Sequence, residues 1–230
     1  MAQGAGHDHR DGRRRLRLSP TIAELVATID GLPHTAWSGR AFRHVAPQYP
    51  PLSGEGARIN GGRWNPPNSF ATLYFGLSRA TVVAEFNRLA TKFGLATSAF
   101  LPRVLYGYDL VVNDALDLRV ADAREALGLD DRALSADPPS LCQQIGEATV
   151  TCGREAILAP SATRLGDALA VYIGRLGPGT RLSHEELERW DGRRRCRRDR
   201  TDWRHPVARV TGSAALASAR FHHQRRPTLE

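Results

Sequence analysis

The sequence has few cysteines and no long apolar run, and these two absences exclude several classes of protein. Cys142, Cys152 and Cys196 are the three cysteines among 230 residues, an odd number without metal-ligand clustering or a paired framework. No apolar run approaches the roughly 18 residues needed to span a bilayer, and the basic N-terminus lacks the apolar segment of a signal peptide. We therefore expect a reduced, soluble, cytoplasmic protein that makes no membrane contact.

Motifs for metal and cofactor chemistry are missing as well. The chain contains no P-loop, no nucleophile-elbow serine, no HExxH sequence and no CxxC sequence. Most of its eight histidines fall in the terminal segments, at His7, His9, His205, His222 and His223. We expect neither a metal site nor a bound cofactor.

The net charge of +8 is concentrated at the two ends of the chain. Residues 1–17 carry +3, residues 18–188 carry −3, and residues 189–230 carry +8. The division predicted from this is a basic N-terminal extension over 1–17, a folded domain over 18–190 and an Arg-rich C-terminal extension over 191–230. The extensions are either solvated tails or electrostatic contacts for nucleic acid or an acidic partner.

Helices and strands of short length are predicted to mix along the folded part. Apolar periodicity and turn residues predict helices that begin near residues 22, 78, 121 and 140, and strands over 40–45, 72–75, 104–112, 155–159 and 168–173. Residues 183–186 fit a capping box and predict a last helix through Trp190. Because strands and helices do not alternate regularly, the fold class is predicted to be α+β.

Residues 61–67, GGRWNPP, combine a flexible backbone, a fixed positive charge and a large aromatic ring. Glycine lets backbone approach a ligand, the planar fork of Arg63 suits phosphate or carboxylate, and Trp64 offers a stacking face. The alternatives are structural. Trp64 and the later Tyr74 could be core residues, and Arg63 could pin its own loop to a carboxylate.

The helix beginning at Ser78 places a carboxylate at the border of its apolar face. At about 100° per residue, Val82, Phe86, Leu89 and Phe93 form one apolar stripe, and Glu85 lies about 40° from Leu89. An unpaired charge in a protein core is costly. Glu85 therefore lies either at the lip of a cleft or at the water-facing edge of the stripe.

The order of these candidates resembles the RES-domain family, which is named for its Arg, Glu and Ser. The chain carries, in the same order as this family, Arg43 on an early strand, the GGRWN loop, Tyr74, Glu85 and a strand-terminal Ser161. The resemblance runs from about residue 41 to residue 172. It is most specific at GGRWN, the following Leu-Tyr strand and the helix with the glutamate.

The resemblance implies a fold, an activity and a set of site residues. RES domains are toxins of bacterial toxin–antitoxin pairs, with a fold related to ADP-ribosyltransferases in which mixed or antiparallel sheets surround a cleft. They cleave the nicotinamide–ribose bond of NAD, and some use phosphate in place of water. The matching positions are Arg43, Glu85 and Ser161 as the catalytic trio, with Arg63, Tyr74, Trp64, Gly62 and Asn65 as NAD-binding residues.

Three functional hypotheses follow. The first is a toxin that degrades NAD as a glycohydrolase or phosphorylase, with NAD as substrate, phosphate as a candidate co-substrate, and an antitoxin with a DNA-binding domain as partner. The second is an ADP-ribosyltransferase that modifies a macromolecule. The third is a nucleic-acid-binding protein that uses its Arg-rich tail, for which steep salt dependence would be diagnostic.

Overall fold

The computed structural model describes residues 20–191 and the backbone of residues 208–211, and strands and helices alternate irregularly along them. The helices are α1 Ile22–Asp30, α2 Glu55–Asn60, α3 Arg79–Lys92, α4 Ala121–Ala126, α5 Asp131–Ser135 and α6 Ser140–Thr151. The strands are β1 Thr35–Val45, β2 Thr72–Gly76, β3 Arg103–Asp117, β4 Ala156–Pro160, β5 Asp167–Tyr172, β6 Arg181–Trp190 and β7 Ala208–Thr211.

One sheet contains these seven strands in the order β1-β2-β5-β4-β3-β6-β7. The pair β3–β4 is parallel and the other pairs are antiparallel. Strand β1 also pairs with β3, so the first five strands form a closed ring of pairings. The long strand β3 makes this possible, because β1 pairs with most of its length, β6 with its first part and β4 with its last three residues. The prediction of a single α+β domain is confirmed.

Two apolar clusters make up the core. The first joins α1 and α6 to one side of the sheet and includes Trp64, Ile145 and Tyr172. The second is formed largely by strand residues, among them Phe75 and Tyr108. The GGRWN segment therefore belongs to the first cluster, a packed part of the molecule.

The predicted last helix is wrong. Residues 181–190 form β6, which pairs with β3 from Arg103↔Trp190 to Val111↔Arg181. The capping-box pattern at Ser183 is a local signal worth about 1 kcal/mol. A strand that completes a ladder with a long neighbour gains a backbone hydrogen bond at every second residue and buries Leu182, so tertiary pairing overrides the local preference.

The apolar stripe of α3 is shorter than predicted. The helix begins after Ser78, whose side chain accepts a hydrogen bond from the Thr81 N–H, as expected for an N-cap. Val82 and Phe86 are buried, but Phe93 is 60% exposed because the helix has already ended at Lys92. Two short helices, α2 and α5, were not predicted, since each is too brief to show periodicity.

Within the described residues, no helix is long and apolar enough to cross a bilayer. The expectations for residues 1–17 and for nearly all of 191–230, including nucleic-acid contact through the Arg-rich tail, lie outside the described residues and stay predictions. So do the predicted domain boundaries.

His44 is a partly buried residue on β1 whose imidazole packs against aromatic rings. Its ring centroid lies 4.7 Å from that of Phe86 and 5.6 Å from that of Trp190. Its Nδ1 has no hydrogen-bond partner in the described part of the chain. Burial, together with the charges of Arg103 and Arg43, lowers the pKa of His44 from 6.5 to about 3. The folded protein therefore keeps this imidazole neutral.

We expect the free energy of unfolding to fall as the pH drops from 6.5 toward 3, because only the unfolded chain protonates His44 in this window. At pH 5 this amounts to roughly 2 kcal/mol. Phenylalanine at this position would keep the ring packing without a titrating group. Urea denaturation at pH 7.5 and pH 5 should show a smaller pH-dependent loss for His44→Phe than for the wild type. Equal losses in the two proteins would contradict the assignment.

Candidate active site

Glu85 and Ser161 are in contact although 76 residues separate them in sequence. Glu85 lies in the second turn of α3 and is half-buried, and Ser161 directly follows β4 and is 1% exposed. The Ser161 hydroxyl donates a hydrogen bond of 2.5 Å to Glu85 Oε1. The fold thus brings together two of the three predicted catalytic residues.

The turn after β4 fixes the direction of the Ser161 hydroxyl. The Thr163 N–H donates to Ser161 Oγ at 3.1 Å, and the two hydroxyl oxygens of these residues lie 2.7 Å apart. The Ser161 N–H donates to the Gly166 carbonyl at 2.9 Å, which closes the turn. Because backbone holds the serine on this side, its proton is directed at the Glu85 carboxylate.

An open cleft of about 460 Å³ reaches this pair through Thr163, which lines the cleft and contacts Ser161. Its lining residues come from the last two turns of α3, from the segment after α5 and from the Ser161 turn, and they are Arg88, Thr91, Lys92, Asp137 and Thr163. The volume lies within the range of small-molecule sites. Its lining side chains end in charged or hydroxyl groups, while their carbon atoms form most of its surface.

Arg43 contacts the loop that follows its own strand. Its Nη1 and Nη2 donate to the carbonyls of Pro51 and Ser53, each at 2.9 Å. Burial lowers the pKa of Arg43, and the neighbouring Tyr108 opposes this shift. An arginine nevertheless keeps its charge at neutral pH. Arg43 thus holds the loop, while Glu85 accepts from Ser161.

Tyr74 holds the GGRWN segment in place through its hydroxyl group. Its hydroxyl accepts from the Trp64 N–H at 2.8 Å and donates to Asn65 Oδ1 at 2.7 Å. Burial raises the pKa of Tyr74, which keeps its hydroxyl protonated and able to donate. A side chain at Gly62 would place its Cβ 2.5 Å from the Tyr74 ring, so glycine is required there for this contact.

Trp64 and Asn65 are internal residues. Trp64 is 3% exposed and Asn65 is 0% exposed. The Asn65 amide donates to the Ala57 carbonyl at 2.7 Å, while Gln143 on α6 donates to the Gly62 carbonyl at 3.0 Å. These bonds tie the segment to α2 and α6. Its glycines and aromatic ring serve packing here, and the predicted contacts of Trp64, Asn65, Gly62 and Tyr74 with NAD stay predictions.

Arg63 pins a neighbouring segment through carbonyls. Its Nη1 donates to Leu134 O at 2.7 Å and to Ala136 O at 3.2 Å, at the end of α5. Arg63 therefore holds main-chain carbonyls, where the structural alternative expected it to pair with a carboxylate. A direct contact of Arg63 with NAD stays a prediction.

Two residues near Glu85 were missed by the sequence reasoning. Arg88 follows Glu85 by three residues and so lies on the same helix face. Thr163 follows Ser161 by two residues, the spacing of a side chain that bonds its own turn. Both spacings are visible in the sequence, but neither indicates a ligand until the cleft is known. Within the described residues, no cluster of three or more His, Cys, Asp or Glu could hold a metal ion.

The fold, the Glu85–Ser161 pair and the adjoining cleft define an enzyme-like domain. Similarity to known proteins shows the family to which this domain belongs. Residues 36–191 match the model of the RES domain, and the chain belongs to that family. It is 34% identical over 157 residues to proteins named NAD(+) phosphorylase MbcT from Mycobacterium bovis and Mycobacterium tuberculosis, covering 67% of this chain and 84% of each relative. The prediction of a RES domain is thereby confirmed.

A solved structure resembles the chain over a similar span. It is the crystal structure of the M. tuberculosis MbcT–MbcA toxin–antitoxin complex, with a TM-score of 0.62 and 34% identity. The match covers 71% of this chain and 92% of the other. A shared fold and a shared sequence pattern thus extend over most of the described domain.

Proposed function

We propose that this chain is the toxin of a bacterial toxin–antitoxin pair and depletes NAD by cleaving the nicotinamide–ribose bond, with inorganic phosphate as acceptor. The observation that carries the proposal is the Glu85–Ser161 contact beside an open cleft whose lining includes Arg88 and Thr163. It is supported by 34% identity to proteins named NAD(+) phosphorylase. Among the three hypotheses, the NAD-degrading toxin is therefore the one we adopt.

The chemistry needs a carboxylate and no general acid at the leaving group. Nicotinamide departs as a neutral molecule, so positive charge moves onto the ribose in an oxocarbenium-like transition state. A carboxylate held near that carbon stabilises the charge electrostatically. In the proposal Glu85 fills this role, and the Ser161 hydroxyl fixes the carboxylate's orientation or exchanges its bond to the ribose or the nicotinamide amide.

Arg43 and Arg63 would serve binding. Carbonyls use two of the five N–H donors of Arg43, and the guanidinium has further donors for a pyrophosphate oxygen. Removal from water strengthens its attraction for an anion. Arg63 would act on the same groups or hold the α5 segment. The half-buried Tyr74 ring would pack on nicotinamide, and Gly62, Trp64 and Asn65 would fix the tyrosine's place.

The proposal also covers the relation of the fold to other toxins, the protein partner and the cellular location. A mostly antiparallel sheet with a glutamate beside a cleft supports a relation to ADP-ribosyltransferase toxins. Likeness to a toxin solved with its antitoxin supports a cognate antitoxin for this chain, and we propose that this partner carries a DNA-binding domain. Because the cellular NAD pool is intracellular, we place the activity in the cytoplasm.

The purified chain is expected to consume NAD and to release one nicotinamide for each NAD lost. With phosphate present, mass spectrometry should detect ADP-ribose that carries one additional phosphate on the ribose carbon. Without phosphate, free ADP-ribose should form more slowly. Unchanged NAD at excess protein under both conditions would overturn the proposed function, and labelled ADP-ribose on protein or nucleic acid would point to macromolecular transfer.

A further inference from the structure

The cleft beside Glu85 is walled by cations from the same helix. Glu85, Arg88 and Lys92 are separated by three and four residues, so their side chains follow one another along one face of α3. Arg88 is half-buried, and its Nη2 donates to the Ser135 carbonyl at 3.1 Å. That bond holds the guanidinium at the wall of the cleft while the rest of its fork is available for a ligand.

The charge of the cleft favours an anion. Asp137 is the carboxylate among the lining residues, and Lys92 Nζ contacts its Oδ1 at 2.8 Å. This ion pair is exposed and roughly neutral. Two cations and one carboxylate thus line the cleft, so Arg88 leaves it with a net positive charge next to the hydroxyl of Thr163.

The hydroxyl of Thr163 links the cleft to the catalytic pair. Its Oγ1 lies 2.7 Å from Ser161 Oγ, which donates to Glu85. An anion held by Arg88 and Thr163 would therefore lie next to the Glu85–Ser161 pair. A phosphate dianion needs a cation next to Glu85, because the carboxylate repels it. A neutral water molecule has no such need.

We propose that Arg88 and Thr163 form the acceptor subsite that holds inorganic phosphate and selects it over water, an inference that rests on the proposed function. Arg88 binds two phosphate oxygens through its fork and offsets the Glu85 charge. Thr163 donates its hydroxyl proton to Ser161 Oγ in this structure, and in the proposal it redirects that proton to a third phosphate oxygen. Both are specificity-determining residues for the acceptor.

The reaction at this subsite balances without a further reactant. An oxygen of hydrogen phosphate forms a bond to the ribose carbon as the carbon–nitrogen bond breaks. The bond's electron pair passes to the nicotinamide nitrogen and neutralises its positive charge. The proton of hydrogen phosphate stays on the phosphate group of the product.

The pyrophosphate of NAD presents the same kind of anionic oxygen as inorganic phosphate. Steady-state kinetics distinguish which of these two groups Arg88 binds. In Arg88→Gln we expect the KM for phosphate to rise about 10- to 100-fold, the range for loss of a charge-assisted hydrogen bond. The KM for NAD should stay within about twofold. At fixed phosphate, the product ratio should shift from phosphorylated to free ADP-ribose, and Arg88→Lys should restore part of it.

Arg181→Gln is the matched control, since it removes one exposed arginine on β6. Its two KM values should equal those of the wild type, and thermal denaturation of all variants reports whether each is folded. An equal rise of both KM values in Arg88→Gln would assign the cleft to the pyrophosphate of NAD and overturn the inference. Unchanged kinetics in Arg88→Gln would overturn it too. A wild type that leaves NAD intact would instead overturn the proposed function.

Discussion

Replacing Glu85 with glutamine is expected to lower NAD consumption by about two to four orders of magnitude while the protein stays folded. The loss follows from the removal of a negative charge beside a carbon that becomes positive in the transition state. Glutamine has nearly the same shape, and its carbonyl oxygen can still accept the bond from Ser161. Nicotinamide release under saturating phosphate gives the rate.

Ser161→Ala and Glu125→Gln complete this experiment. Ser161→Ala keeps the carboxylate and loses its orienting hydroxyl, so its rate should lie between the wild type and Glu85→Gln. Glu125 is exposed on α4, and its glutamine variant should match the wild type. Full activity of a folded Glu85→Gln protein would exclude the carboxylate mechanism. In cells, we expect expression of the wild type to arrest growth and expression of Glu85→Gln to leave growth unchanged.

Replacing Gly146 with alanine is expected to destabilise the protein by about 3 kcal/mol or more, against the usual trend for a helix interior. Gly146 lies in α6, where alanine would ordinarily gain up to about 1 kcal/mol. A Cβ at this position would lie 1.9 Å from the Trp64 carbonyl oxygen, which is backbone and has little freedom to move. The helix and the GGRWN segment would have to separate.

Gly56→Ala is the matched control for this change. Gly56 is an exposed glycine within α2, and a Cβ there meets nothing within 4 Å. Its alanine variant should be as stable as the wild type or slightly more so. Urea denaturation of the two variants beside the wild type measures both effects. Equal stability of Gly146→Ala and the wild type would contradict the close approach of α6 to Trp64.

The GGRWN segment has structural contacts that its composition did not indicate. Its glycines, arginine and tryptophan indicated a ligand loop, because each residue type can serve an anionic, ring-bearing ligand. In the structure, Gly62 gives clearance to the Tyr74 ring, Trp64 is buried, and Arg63 holds two carbonyls. Close backbone approach was the correct physical reason for the glycine. The object that approaches is a tyrosine of the same protein.

The sequence alone determined those features that depend on neighbouring residues. The N-cap at Ser78, the position of Glu85 on the border of the α3 stripe, the strand with Tyr74 and the α+β class all follow from local periodicity and capping. Arg43 and Ser161 became candidate site residues because their order along the chain matches that of the RES-domain family. None of this required knowing which elements touch.

Only the tertiary structure decided which of these residues meet. Ser161 reaches Glu85 because the fold places the turn after β4 against α3, and Arg88 and Thr163 line one cleft for the same reason. Pairing with β3 likewise turned residues 181–190 into a strand despite a helix-capping pattern. Such outcomes depend on contacts between distant segments, whose free energies exceed the local preferences that a sequence pattern reports.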